Sequence, residues 1–81
     1  MENTTLFDVK AMKAHLIKET LAEVIESLKE RGYDANNQLV GYLISGDPGY
    51  ISNYKETRKK LSKIDRTDII EVLLRSYLSR K

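Results

Sequence analysis

Apolar residues recur along the chain at helical spacing, and four segments carry the pattern. From about Lys10 to Arg31, Ala14, Ile17, Leu21, Val24, Ile25 and Leu28 form one stripe, with Glu19, Glu23, Glu26, Lys29 and Glu30 mainly on other faces. Apolar positions three and four apart mark an amphipathic helix that lays one face on a core. Gly32 follows, where a left-handed residue ends a helix, and the DANN stretch from Asp34 to Asn37 supplies loop and cap chemistry. A short second helix is expected from about Asn37 to Ser45. Leu39, Val40, Leu43 and Ile44 make it apolar around much of its circumference, so it is expected to be buried, inside the protomer or against a second copy. Gly41 in its middle costs about 1 kcal/mol relative to alanine. Such a glycine is expected where another backbone passes close by.

A third helix is expected from Ser52 or Asn53 to about Lys63. Asn53 and Glu56 are spaced as a cap pair, and Tyr54, Leu61 and Ile64 are the apolar points. The fourth runs from about Arg66 to Leu78. Asp65 or Thr67 serves as its cap, Asp68 favours the dipole, and Ile69, Ile70, Leu73, Leu74, Tyr77 and Leu78 share one face. No segment alternates as a strand does, so the fold class is all-α, a compact bundle of about four helices. Residues 1–9 show no period and read as a mobile N-terminal tail, leaving 10–81 as a single helical domain.

Composition narrows this picture. A chain of 81 residues, 41% apolar and 32% charged, suits one soluble globular domain. A core of this size yields only roughly 3–5 kcal/mol, and dimerisation is a common supplement, so a homodimer is expected. There is no cysteine, which excludes disulfides and thiolate metal sites. No apolar run approaches the roughly 18–20 residues of a membrane span. The opening MENTTLFD lacks the basic flank and apolar centre of a signal peptide, so the expected address is cytoplasmic, without membrane insertion. Net charge is only +2 but unevenly spread: six acids and five bases from Met1 to Arg31, against four acids and nine bases from Lys55 to Lys81.

Candidate chemistry is sparse. His15 is the only histidine and sits beside Glu19 at i+4, the placement of a solvated helix residue. No nucleophile, base and orienting group assemble in the pattern, and no metal-ligand spacing appears, so neither catalysis, a cofactor nor a metal is expected. The stretch LISGDPGYIS holds two of the four glycines and the only proline. It lacks the lysine and hydroxyl of a phosphate loop, follows a helix rather than a strand, and carries Asp47, which repels phosphate. It reads as a corner: Gly46 stops a helix, and Pro48 and Gly49 fit a type II turn begun at Asp47. Lys55, Arg58, Lys59 and Lys63 form a basic patch suited to an acidic or phosphorylated partner. With the helix before it, this run also resembles a small helix-turn-helix nucleic-acid binder. The long connection from Gly46 to Ser52 and the lack of base-reading residues on one face argue against nucleic acid. Thr4 and Thr5 stand between Glu2 and Asp8, and a kinase would reach them in a mobile segment.

Several runs together resemble a known family. Gly32-Tyr33, the NQLVGY stretch from Asn37 to Tyr42, the SGDPGY stretch from Ser45 to Tyr50, Arg58 and the Tyr77-Leu78 ending are similar to the IreB-type regulatory phosphoproteins of Gram-positive bacteria. The resemblance is close from about Leu21 to Leu78. It implies a small cytoplasmic all-α homodimer without known catalysis. It implies further that a transmembrane Ser/Thr kinase with PASTA domains phosphorylates threonine in the N-terminal segment, and that a phosphatase reverses this. An unknown downstream protein would then link the chain to cell-envelope stress and cell-wall antibiotic resistance. The family's pattern of an acid, a threonine and a phenylalanine falls on Glu2, Thr4 and Phe7, with Asn3 where an acid is common and Thr5 as a second acceptor. Leu39, Val40, Gly41, Tyr42, Leu43 and Tyr50 are the candidate dimer core.

Overall fold

The computed structural model describes residues 2–80, with side chains described from Val9 onward. Four α-helices follow one another: α1 (Glu2–Glu30), α2 (Ala35–Ser45), α3 (Thr57–Ser62) and α4 (Arg66–Ser79). Two single 3-10 turns, Pro48–Tyr50 and Tyr54–Glu56, lie between α2 and α3. Among the described residues there is no strand.

The long first helix is the spine. No glycine or proline interrupts the chain before Gly32, so nothing in the backbone stops α1 early. Its stripe of Ile17, Leu21, Val24 and Leu28 is buried, and Tyr42 of α2, Ile51 of the connector, Leu61 of α3 and Ile69 of α4 close on it. At about 1.5 Å per residue, this helix accounts for most of the molecule's 46 Å long axis. The bounds of α1 begin at Glu2, ahead of the start expected near Lys10. The side chains of residues 1–8 lie outside the described part, and the expected tail with Thr4 and Thr5 falls there.

Helix ends follow local chemistry. Gly32 is left-handed at φ 84°. The Gly32 amide donates to Lys29 O at 3.0 Å and the Tyr33 amide to Leu28 O at 2.9 Å, a Schellman end for α1. Asp34 caps α2, with Oδ1 accepting from the Asn37 amide at 3.2 Å. This cap starts α2 at Ala35, slightly ahead of the expected Asn37. Gly46 ends it at φ 78°, with its amide on Tyr42 O at 2.7 Å.

Three expectations need correction. The corner is not a type II turn, because Gly49 does not take positive φ; that conformation belongs only to Gly32 and Gly46 among the glycines. Asp47 instead caps a 3-10 turn with Pro48 in its first position, and the Asp47 carboxylate accepts from the Gly49 amide at 2.8 Å. A side chain on Gly49 would begin 3.1 Å from that carboxylate, so the glycine preserves the cap. Nor is the third helix continuous: Lys55 and Glu56 are left-handed at φ 58° and 61°, and the helix proper spans only Thr57–Ser62. Asn53 makes no side-chain cap, so the Asn53–Glu56 pair does not form; its carbonyl accepts the Glu56 amide instead, at 2.9 Å. Finally, Gly41 is approached by a ring rather than by a backbone. A Cβ there would lie 2.5 Å from the Tyr50 ring.

Candidate functional site

The glycine-rich corner is held by side chains that turn inward to backbone. Ser45 Oγ donates to Gly41 O at 2.8 Å and accepts the Asp47 amide at 3.0 Å. Gln38 Nε2 donates to Tyr50 O at 3.0 Å, fastening the far side of the corner to α2. Arg66, at the start of α4, donates through Nη1 to Leu43 O at 3.0 Å, satisfying a carbonyl in the last turn of α2. The same guanidinium fills the space beside Gly46, where a Cβ would lie 2.8 Å from Cζ. Gly46 is thus required twice, for its left-handed backbone and for the arginine against it. Gly46, Asp47, Pro48 and Gly49 set the path of the chain out of α2, with Asp47's carboxylate committed to its own turn.

A second knot of hydroxyls fixes α3 to the spine. Thr57 is buried, and its Oγ1 lies 2.6 Å from Ser52 O, 3.1 Å from Tyr54 O and 3.4 Å from Ser27 Oγ. With a single proton to give, it donates best to Ser52 O, the shortest partner. Ser27, buried on α1, donates to Tyr54 O at 3.2 Å. These contacts hold the left-handed pair Lys55–Glu56, whose backbone costs roughly 1–2 kcal/mol per residue.

All four residues of the expected basic patch keep exposed surface, and two of them also have partners within the fold. Arg58 Nε donates to Ile51 O at 2.9 Å and so braces the connector. Lys55 lies over the Tyr54 ring at 5.3 Å, with Arg31, just past the end of α1, over the same ring at 5.4 Å. Lys60, also in this run, reaches Glu23 of α1 at 2.8 Å. Lys59 and Lys63 are exposed. His15 Nε2 meets Glu19 Oε2 at 3.2 Å, both exposed, as its spacing implied.

Of the candidate dimer residues, Tyr42 is buried in the protomer's own core, and Leu39 and Leu43 are half-buried against that core. Gly41 is covered by Tyr50, whereas Val40 and Tyr50 keep exposed surface.

Between α1 and α4 runs an open groove of about 460 Å³, with Ala14, Ile17 and Val72 as its floor. Lys13 of α1 and Asp68 of α4 bridge it at 3.0 Å. The hydrogen bond to Asp68, and then its charge, raises the Lys13 ammonium above its ordinary 10.5. Glu71 and Arg75, also on the α4 wall, pair with each other at 3.0 Å. Among the described residues there is no cluster of histidine, aspartate and glutamate able to hold a metal, and no helix is long and apolar enough to cross a membrane.

The residues that organise the corner and the knot include Gln38, Arg66, Ser27 and Thr57; sequence reasoning marked Gln38 only within the NQLVGY run, and gave none of the four a role at a site. Ser27 and Thr57 carry a faint signal, since each is a hydroxyl on the core side of its helix. Nothing in the sequence points to the contacts of Arg66 and Gln38, because their partners are backbone carbonyls set by tertiary packing. The model of the IreB regulatory phosphoprotein family matches residues 2–79, nearly the whole chain.

Proposed function

We propose a function from the premise that the chain belongs to the IreB family of regulatory phosphoproteins: it is a non-enzymatic regulator switched by phosphate on N-terminal threonine. The observation that carries this is the family match, which extends to residue 2 and so includes Thr4 and Thr5. The writer of the signal is a membrane Ser/Thr kinase of the PASTA type, and a phosphatase erases it. The process served is cell-envelope stress signalling and cell-wall antibiotic resistance. The protein acts in the cytoplasm as a homodimer and passes the signal to a downstream protein.

The physical change is local. One phosphate adds about −1.5 to −2 charge and three strong acceptor oxygens. Thr4 and Thr5 fall in the first turn of α1 by its bounds. Negative charge is favourable there, because free amides and the positive end of the helix dipole converge. The phosphate therefore changes the charge presented at one end of the spine without disturbing the core some turns away. A partner that reads this end binds one form better than the other, and its binding shifts by that difference alone.

The test is to incubate the purified chain with the purified kinase domain and map phosphopeptides in wild type, Thr4→Ala and Thr5→Ala. Phosphate on Thr4, lost in Thr4→Ala, is the expected result. A chain that takes up no phosphate in the segment 1–9 contradicts the switch.

A further inference from the structure

The N-terminal half of α1 leaves an apolar face open. Val9, Met12 and Leu16 stand at i, i+3 and i+7, so they share one side of the helix. All three are exposed, at 54%, 69% and 58%. The side that packs is the neighbouring one, where Ile17 is buried and Ala14 is half-buried beside the groove. Followed toward the C-terminus in steps of seven, the open face becomes Glu19, Glu23 and Glu30, the residues a solvated face normally carries. Its first half is apolar where solubility alone would ask for charge.

The charge beside that face is one-sided. Residues 9–18 hold Lys10, Lys13, His15 and Lys18 and no acid. Each of these four is exposed. Lys13 also reaches Asp68 of α4 at 3.0 Å, so part of its charge is already used. Lysines lay their methylene stems along apolar surface and keep the ammonium in water. A helix of this pattern settles at the boundary between acyl chains and acidic headgroups.

Among the described residues no other surface joins the two properties. The α3 run has the charge, in Lys55, Arg58, Lys59 and Lys63, but its Leu61 is buried and Ile64 half-buried. The Tyr54 ring beside it already faces Arg31 and Lys55. Helix α4 exposes apolar side chains, but its Arg66 and Arg75 are balanced by Asp68 and Glu71. Nor does the open face of α1 suit a folded partner. Residues 9–18 contain no arginine, tyrosine, tryptophan or phenylalanine, and arginine, tyrosine and tryptophan are the side chains that most often anchor protein interfaces. Lysine is a hydrated point charge on a flexible stem, which suits a fluid anionic layer.

We propose that residues 9–18 of α1 are a docking surface for an anionic lipid bilayer. Val9, Met12 and Leu16 enter the headgroup layer, and Lys10, Lys13 and Lys18, with His15, meet the acidic headgroups. The helix lies on the bilayer and does not span it, since among the described residues no helix is long and apolar enough to cross. Three apolar side chains and three lysines make the attachment weak and reversible. The attachment stands without the phosphate reading. Where that reading holds, a phosphate on Thr5, five residues before Lys10, opposes it by repelling the same headgroups.

The test mixes the full chain with vesicles of phosphatidylglycerol and phosphatidylcholine in equal parts, or of phosphatidylcholine alone, and separates bound protein by flotation. Binding to the anionic vesicles only, falling as salt is raised, is the expected result. Met12→Asp, and separately the double variant Lys10→Glu/Lys18→Glu, should each lower that binding at least about tenfold. Both change exposed positions and leave the Lys13–Asp68 bridge in place. Circular dichroism checks their helix content, and should one of them lose helix, the other decides. Lys59→Glu/Lys63→Glu on α3 should bind as wild type does. No binding to anionic vesicles overturns the proposal, and so does equal binding to both kinds. Binding lost in the α3 variant but kept in the α1 variants places the contact elsewhere and overturns it too. None of these results bears on whether Thr4 or Thr5 takes phosphate, which the kinase experiment decides.

Discussion

Gly46 and Gly41 resemble each other in sequence, but their reasons differ. Gly46 is held at φ 78° with a guanidinium against it. Gly46→Ala should therefore cost about 1–2 kcal/mol from the left-handed backbone alone, read as a lower urea midpoint. Gly41 has ordinary helical backbone and is short of room only because the Tyr50 ring lies over it. Gly41→Ala should destabilise the wild type, since its Cβ would meet the ring at 2.5 Å. In a Tyr50→Ala background the same change should stabilise by about 0.5–1 kcal/mol, the ordinary gain of alanine over glycine within a helix. A double-mutant cycle in urea measures that reversal of sign, and additive effects would show that the ring is not the obstacle.

At the scale of elements, α3 depends on the hydroxyl knot. Thr57→Val keeps the shape but strands the Ser52 carbonyl, a change expected to cost about 1–3 kcal/mol. It should also release the Lys55–Glu56 backbone, seen as faster amide exchange from residue 53 to 58; unchanged exchange would separate the knot from the strained pair. The tie between α1 and α4 responds to pH. Lys13 holds its proton more firmly folded than unfolded, so its contribution is fully present below 10.5 and fades as pH rises through the raised value. Wild type and Lys13→Met should converge in stability above that range. Because Lys13 is well exposed, the difference between them should be small and shrink with salt.

These elements also show what the chain discloses of itself. Helix ends made by neighbours in sequence were legible: Gly32, the Asp34 cap and Gly46 each act within a few residues. The break in α3 was not, because no glycine or proline marks it. It is held by Ser27, which lies 27 residues from its Tyr54 partner. The basic run was visible as charge, but the pairing of Lys60 with Glu23 depends on which face meets α1, and that of Arg58 with the Ile51 carbonyl on the path of the connector. In α4, periodicity located an apolar face without telling that Ile69 and Val72, rather than the broader stripe, would meet the core.

At the scale of the whole molecule, a single long helix organises everything else. Its middle and C-terminal turns carry α2, α3 and α4, while its first turn holds Thr4 and Thr5. The phosphate proposed above would stand at that end of the helix, some turns ahead of the buried stripe of Ile17, Leu21, Val24 and Leu28. The family to which the chain belongs gives the regulatory role; the account built on it stands on where the phosphate is placed. The most direct measurement is phosphopeptide mapping of the protein recovered from cells that produce it, before and after a cell-wall antibiotic. The account predicts phosphate on Thr4 or Thr5 whose occupancy changes with the antibiotic. Phosphate found only elsewhere on the chain, or an N-terminal peptide unmodified in both states, would contradict it.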